Sequence, residues 1–78
     1  MNKVYKLKIF AINDDRVFCK WEIKNGRKIV AKIYHYKVRN QFGAYLLETS
    51  GYGRECESLD ECIQKFKEFH NLDNVNVV

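Results

Sequence analysis

The sequence predicts an α+β domain with the element order β-β-β-β-α. Four antiparallel strands form a sheet, and one C-terminal amphipathic helix packs on one face of it. Three observations predict this class. Apolar residues alternate with polar ones, at the period of a strand, over most of residues 3–49. Clusters of Asn, Asp and Gly interrupt the alternation as turns. After residue 58 the apolar spacing becomes that of a helix.

The first two predicted strands cover residues 3–12 and 16–24 and are joined by a turn at residues 13–15. In each strand every second residue is apolar and is expected to face inward: Tyr5, Leu7, Ile9, Val17, Cys19, Trp21 and Ile23. The residues between them are expected on the other face: Lys6, Lys8, Phe10, Ile12, Arg16, Phe18, Lys20, Glu22 and Lys24.

The register of the next hairpin is predicted from Asn25-Gly26, a strong turn signal. A two-residue loop would put Lys28 and Lys32 on the apolar face of the preceding strand. A three-residue loop, with Gly26 in a left-handed bulge position, avoids this. Because a slip of one residue inverts the faces of a strand, the pattern favours the three-residue loop. The pairs it predicts are Ile23–Arg27, Glu22–Lys28, Trp21–Ile29, Cys19–Ala31 and Val17–Ile33.

The third predicted strand covers residues 27–38, and a loop at residues 39–43 leads to the fourth at residues 44–49. The inward residues of the third strand are Ile29, Ala31, Ile33 and His35. Its outward residues are Lys28, Val30, Lys32, Tyr34 and Tyr36. In the fourth strand adjacent leucines leave two facings open, and the one with Tyr45 and Leu47 inward is preferred to the one with Ala44 and Leu46 inward.

The helix is predicted from Leu59 to about His70 and follows a turn at residues 50–53 and a short segment at residues 54–57. Ser58 and Glu61 have the spacing of a capping box, in which each side chain satisfies a free backbone N–H. The apolar stripe consists of Leu59, Cys62, Ile63, Phe66 and Phe69. Residues 1–72 are interpreted as a single domain. The tail, residues 73–78, is expected to be frayed or to form a short edge strand.

The composition argues against several classes of protein. The longest apolar run is far below the roughly 20 residues of a membrane span, and the alternating N-terminus lacks the apolar region of a signal peptide. We therefore expect no membrane association and a cytoplasmic location. Three cysteines are too few for a disulfide framework.

Catalytic and metal-binding patterns are weak in this sequence. Cys56 and Cys62 are separated by five residues, whereas zinc ligands usually come in closer pairs, and Cys62 lies on the packing stripe. His35 and His70 have no nucleophile or carboxylate at a suggestive spacing. Gly51 and Gly53 lack the longer spacing and the Lys-Ser/Thr of a phosphate loop. We expect no enzymatic activity, no metal and no cofactor.

The distribution of charge provides the main functional signal. Residues 1–47 carry eleven Lys or Arg against three Asp or Glu, a charge of +8, and residues 48–78 carry −4. Most of the positive charge falls on the outward sheet face, interleaved with aromatic rings, which is typical of a polyanion-binding surface. The predicted binding residues are Lys6, Lys8, Arg16, Phe18, Lys20, Lys28, Lys32, Tyr34 and Tyr36, with Tyr52 and Arg54 as additional contacts at the rim.

The leading hypothesis from the sequence is therefore a small non-enzymatic protein that contacts nucleic acid, preferably single-stranded, with phosphates on the cations and bases on the rings. The alternative is a protein-binding factor that uses the same face for an acidic protein surface or for a homodimer. A phage- or mobile-element-encoded inhibitor of a host or defence protein is an example, suggested by the small size and the Lys-, Asn- and Ile-rich, Pro-free composition. Lysine stems that only keep an ordinary sheet face solvated would produce a similar pattern.

Overall fold

The computed structural model of the chain describes residues 4–72 and 76–78. It is an α+β fold with six strands and one helix: β1 (Val4–Ala11), β2 (Val17–Asn25), β3 (Lys28–Asn40), β4 (Gly43–Thr49), β5 (Tyr52–Cys56), α1 (Leu59–Phe69) and β6 (Asn76–Val77). The strands form one sheet in the order β5-β4-β3-β2-β1-β6. All neighbours are antiparallel except β1 and β6, which are parallel. The α+β class is confirmed, whereas the prediction of a purely antiparallel four-stranded sheet is wrong.

The two additional strands arise from local features on either side of the helix. Ser50 and Gly51 both have positive φ, 48° and 77°, as a two-residue type I′ hairpin turn requires. The turn folds the segment after it back on β4 as β5. At the other end of α1 the left-handed Asn71 (φ 55°) redirects the chain toward the opposite edge of the sheet, where β6 pairs with the start of β1. The helix supplies the long connection that a parallel pair needs.

The core lies between α1 and one face of the sheet, called here the helix-side face. Its buried residues are Tyr5, Ile23, Ala31, Ile33, Leu47, Cys56, Cys62 and Phe66. The Tyr5 and Phe66 rings lie 5.8 Å apart and join the first strand to the helix. Leu47 is fully buried and Tyr45 packs against the core, so the preferred facing of the fourth strand is confirmed.

The N-terminus of α1 is capped largely as predicted. The Ser58 hydroxyl accepts a hydrogen bond from the backbone N–H of Glu61 at 3.1 Å. The Glu61 carboxylate accepts from the N–H of Glu57 at 2.9 Å, one residue before the position that a reciprocal capping box would use. Two free backbone donors are still satisfied, which fixes where the helix begins.

The register of the β2–β3 hairpin differs from the prediction. Its turn holds two residues, Gly26 and Arg27, and Asn25 pairs with Lys28. Gly26 has a φ of 64°, as the first central position of a type II′ turn requires. The predicted three-residue loop and its strand pairs are therefore wrong. The pairs formed instead include Trp21–Ile33, Ile23–Ala31, Glu22–Lys32 and Cys19–His35.

A bulge at Val30 reconciles this tight turn with the hydrophobic pattern. Between the pairs Ile23–Ala31 and Lys24–Ile29, β3 contains one extra residue. An extra residue exchanges the faces of the residues beyond it. Ile29 consequently lies opposite Lys24 and is 43% exposed, whereas Val30 packs against the core. The predicted facings of Ile29 and Val30 are both wrong, because that prediction assumed an unbroken ladder from the turn to the strand end.

Candidate partner-binding surfaces

The face of the sheet opposite the helix, called here the open face, collects most of the cations predicted to bind a partner. Among the side chains that the registers of β1 to β5 place on it are Lys6, Lys8, Phe10, Val17, Lys20, Glu22, Lys24, Ile29, Lys32, Tyr34, Tyr36, Leu46, Glu48 and Glu55. The lysines lie mainly on β1 and β2, the tyrosines on β3, and two glutamates on β4 and β5. The open face is therefore basic on one side and acidic on the other.

One cross-strand row of the open face alternates in charge from β1 to β4: Lys8, Glu22, Lys32 and Glu48. Glu22 is 8% exposed, and its carboxylate lies 3.6 Å from the Lys20 ammonium. Opposite charges directly across strands stabilise a sheet. This row thus offsets much of its own charge. Besides Glu22, the carboxylates of Glu48 and Glu55 also lie on this face and reduce its net positive charge.

The positive charge is uncompensated at the end of the open face nearest the β2–β3 turn. Lys6 and Lys24 stand directly opposite each other on β1 and β2. Arg27 and Lys28 follow at the turn, and both are exposed. None of the ion pairs within residues 4–72 and 76–78 involves these four residues. Like charges opposite each other destabilise a sheet by up to about 1 kcal/mol, so an anion bound here would relieve repulsion. We call these four residues the hairpin-end cations.

The aromatic residues of the open face differ in how they are covered. The Phe10 ring lies beneath two ammonium groups, those of Lys8 at 5.3 Å and Lys20 at 5.6 Å from its centroid. Tyr34 and Tyr36 lie side by side on β3 with centroids 6.3 Å apart. Burial, and secondarily the Glu48 carboxylate, raises the pKa of Tyr36 above its ordinary value of 10.0, so its hydroxyl stays protonated. The tyrosine pair is the better stacking surface.

Phe18, predicted on the basic face, lies on the helix-side face. Its ring packs 4.9 Å from the His35 ring, and the Lys37 ammonium lies 5.8 Å from its centroid. The cause is a second bulge, between Val17 and Cys19, which turns Phe18 to the side of Cys19. The predicted facing of Phe18 is therefore wrong, and the structure separates it from Tyr34 and Tyr36.

Four other predicted binding residues lie away from the centre of the open face. Arg16 precedes β2 at the end remote from the hairpin-end cations, where its side chain is 85% exposed and its Nε lies 3.7 Å from the Asp14 carboxylate. Lys28 is at the turn opposite Asn25, and the bulge at Val30 places it on the helix-side face, so its predicted facing is wrong. On the edge strand β5, Tyr52 stacks on Phe69 of the helix at 4.7 Å, and Arg54 is opposite Leu47. By register Tyr52 and Arg54 thus lie on the helix-side face, although Tyr52 also lines a depression at the edge of the open face.

A second surface, which we call the aromatic corner, was not predicted from the sequence. It consists of Ile9, Phe18, Trp21, His35 and Tyr45 on the helix-side face. His35 and Tyr45 stack at 4.2 Å with an interplanar angle of 7°, and the Trp21 ring lies 6.5 Å from His35. Ile9, opposite Trp21, is 61% exposed, and Phe18 is 55% exposed.

The aromatic corner remains open because α1 packs on another part of this face. The helix lies mainly over β4, β5 and β3, and its Phe66 reaches Tyr5 at the start of β1. Ile9 and Phe18, near the opposite end of β1 and β2, are left exposed. The sequence predicted that Trp21 and Tyr45 face the helix side of the sheet. It did not predict which part of that face the helix covers.

The thiols and imidazoles are held in the packing of the fold. Cys56 and Cys62 are fully buried, and burial raises the pKa of both thiols. The His70 ring lies 2.8 Å from the Thr49 hydroxyl and packs on Phe66. Across residues 4–72 and 76–78, no three His, Cys, Asp or Glu side chains are grouped as metal ligands would be.

A shallow depression of about 440 Å³ extends the open face toward the β4–β5 turn. Its walls include Ile29, Lys32, Leu46, Glu48 and Tyr52. The volume is in the range of small-ligand sites. Its walls combine apolar and charged side chains, and it lies next to the tyrosine pair on the same face.

The only helix in the described part of the chain has 11 residues, and none there is long and apolar enough to cross a membrane. In comparisons with protein families, with curated proteins and with solved structures, nothing matches this chain.

Proposed function

We propose that this protein is a non-enzymatic binding protein that holds single-stranded nucleic acid on its open face. The observation that carries the proposal is the opposed pair Lys6 and Lys24, continued by Arg27 at the turn, on the same face as a half-buried tyrosine pair farther along β3. Cations that make no ion pair within residues 4–72 and 76–78 offer an anion site, and phosphates are the anions that nucleic acids present at regular spacing.

The arrangement of the open face supports a definite orientation of the strand. Among the cations that hold phosphates, Lys20 on β2 lies directly opposite Tyr34, one strand spacing of about 5 Å away, whereas Lys24 lies four residues, about 13 Å, farther along the strand. A base attached to a phosphate held on β2 can reach the rings of β3. Stacking on aromatic rings is tolerant of sequence, so little base specificity is expected.

The acidic side of the open face supports a single strand over a duplex. Glu48 and Glu55 lie beyond the tyrosines, on β4 and β5. The two phosphate backbones of a duplex border grooves about 6 and 12 Å wide, so its second backbone would approach these carboxylates. A single strand has no second backbone, and its bases are free to stack.

The proposal is tested by titrating the protein into labelled single- and double-stranded oligonucleotides and recording fluorescence anisotropy at several salt concentrations. Six phosphate contacts give a log–log salt slope near −4 for single strands, at about −0.7 per contact. The six cations expected to make them are Lys6, Lys8, Lys20, Lys24, Arg27 and Lys32, which lie on the open face or at its hairpin end. Absence of binding at low salt would contradict the proposal.

A pair of charge variants locates the site. The double variant Lys6→Gln/Lys24→Gln should weaken binding and reduce the slope by about 1.4, since two contacts are lost. The control Lys65→Gln/Lys67→Gln removes the same charge from the helix and should leave the slope unchanged. Equal losses in the two variants would indicate nonspecific attraction to a basic protein, and the open face would not be the site.

A pair of aromatic variants tests stacking. Tyr34→Ala should weaken binding by about 1–3 kcal/mol per stacked base. Phe18→Ala removes a ring from the opposite face and serves as the control, with no expected effect. If both variants keep their fold and bind like the parent protein, the stacking role of Tyr34 is wrong.

A protein partner is the second candidate, and the aromatic corner is the observation that favours it. Its three large aromatic rings with few charges resemble the centre of a protein interface. An inhibitor of a host or defence protein would use such a surface. A partner recovered after nuclease treatment, and lost with Ile9→Asp but not with Lys24→Gln, would support this candidate. Loss of the partner on nuclease treatment would argue against it.

A further inference from the structure

The outer edge of β1 is only partly paired. Val78 donates its N–H to the carbonyl of Tyr5 at 2.9 Å and accepts the N–H of Leu7 at 2.6 Å. Within the part of the chain that the structure describes, no strand pairs with the rest of this edge. Because backbone groups alternate in direction along a strand, those of Ile9 and Ala11 point the same way as those of Tyr5 and Leu7. They are therefore available to a further strand.

The free part of this edge lacks the usual protection against pairing. Edge strands normally carry charges or are short. The opposite edge, β5, follows this rule, since it has five residues and exposes Arg54 and Glu55. On β1 the segment Ile9–Ala11 has no charge, Ile9 is 61% exposed and Ala11 is exposed. The β5 edge thus carries exposed charges that oppose pairing with another strand, whereas the free part of the β1 edge carries none.

We propose that β1 pairs with β1 of a second copy of this chain, antiparallel and about a two-fold axis at Phe10. In this register Ile9 and Ala11 of each copy exchange N–H and C=O hydrogen bonds with Ala11 and Ile9 of the other. Phe10 faces its own equivalent on the open-face side, and Lys8 faces Ile12. The segment is self-complementary, because no two like charges stand directly opposite, and this is what a two-fold interface requires.

Two further features of the fold fit a second copy as the occupant. The aromatic corner adjoins the same edge through Ile9 and Trp21, so pairing of β1 strands brings the corners of both copies together and covers Ile9. On the other side, the two open faces become one continuous surface of twice the length. The pairing stands independently of nucleic-acid binding and is measured without nucleic acid.

Self-association and nucleic-acid binding are expected to depend on salt concentration in opposite ways. Lys8 and Lys20 of both copies surround the proposed axis, and their repulsion is screened at high ionic strength. Self-association should therefore be unchanged or stronger in high salt, whereas binding to a nucleic acid weakens. The protein can therefore fail to self-associate and still bind nucleic acid, or the reverse, and the two measurements tell these outcomes apart.

The test is sedimentation velocity of the protein alone over a range of concentrations. We expect a monomer–dimer equilibrium in which Ile9→Lys and Ala11→Pro each raise the dissociation constant at least tenfold. Proline at position 11 removes an outward N–H, which edge strands tolerate. The control is Gly53→Lys on β5, where an added Cβ meets nothing within 4 Å, and it should leave the constant unchanged.

Hydrogen exchange gives a second readout at the level of the residue. The amides of Ile9 and Ala11 should become protected as protein concentration rises, whereas the amide of Leu7, already bonded to Val78, should not change. A monomer at about 1 mM, the weakest affinity that this measurement covers, would overturn the proposal. A dimer that persists in folded Ile9→Lys protein would overturn it as well, because the interface would then lie elsewhere.

Discussion

Gly43 is the position where one added carbon should do most harm. It begins β4 with a φ of 133°, a conformation that L side chains rarely adopt. A Cβ at this position would lie 2.0 Å from the carbonyl oxygen of Cys56 and 2.8 Å from the backbone nitrogen of Glu57. The obstacle is backbone of the neighbouring strand end, so no side-chain rotation can relieve it. Gly43→Ala should therefore force the strands apart.

The size of the effect can be worked out from this geometry. Real Cβ atoms keep at least 3.0 Å from such atoms, so β4 and the end of β5 must separate by about 1 Å. The backbone conformation costs about 1–3 kcal/mol for a residue other than glycine. Loosening the hydrogen bonds between Tyr45 and Cys56 adds about 1 kcal/mol per bond. The total is about 3–5 kcal/mol, in a 78-residue protein whose expected stability is about 4–12 kcal/mol.

The assay is urea unfolding followed by the fluorescence of Trp21 and by circular dichroism. Gly53→Ala is the matched control, because an added Cβ there meets nothing within 4 Å. It should be neutral or stabilising by up to about 1 kcal/mol, since alanine restricts the unfolded chain. A Gly43→Ala protein with the urea midpoint of the parent would refute the reasoning, because the close approach to Cys56 would then not exist in solution.

Two further predictions concern the core. Phe66→Ala should cost about 3–5 kcal/mol, because the ring is fully buried, whereas Phe69→Ala, at a side chain 42% exposed, should cost much less; comparable urea midpoints would contradict this assignment of the helix faces. Burial raises the pKa of the Cys62 thiol above its ordinary value of 9.0, so the folded protein keeps a proton that the unfolded chain loses. The free energy of unfolding should hold below about pH 9 and decline above it, and Cys62→Ala should reduce that decline; parallel pH profiles for the two proteins would contradict this contribution.

Much of the fold could be predicted from local patterns. The alternation in residues 4–49 predicts the first four strands, and the Ser58–Glu61 spacing together with the apolar stripe predicts where α1 begins. The facing of Leu47 and Tyr45 was also predicted correctly from the pattern. These features depend on neighbours in sequence, where the strand period and the chemistry of helix caps act directly.

The pairing of strands could not be predicted in the same way. Bulges at Val30 and beside Phe18 each add one residue to a strand, and each exchanges the faces of the residues beyond it. Nothing in the alternation distinguishes a bulge from an ordinary residue, because its position is decided by how two strands and the helix pack together. This is why Phe18 was misplaced among the residues of the basic face.

The sequence by itself determined the α+β class, the capped helix and the concentration of positive charge in the first 47 residues, because each depends on residue type and short-range spacing. Only the tertiary structure decided which charges compensate one another, which rings share a face, and which edge of the sheet stays free. Those properties arise between residues distant in the chain, as with Lys6 opposite Lys24 and Glu48 opposite Lys32. Strand register and the placement of the helix on the sheet settle them, and neither is present in the order of residues along a single strand.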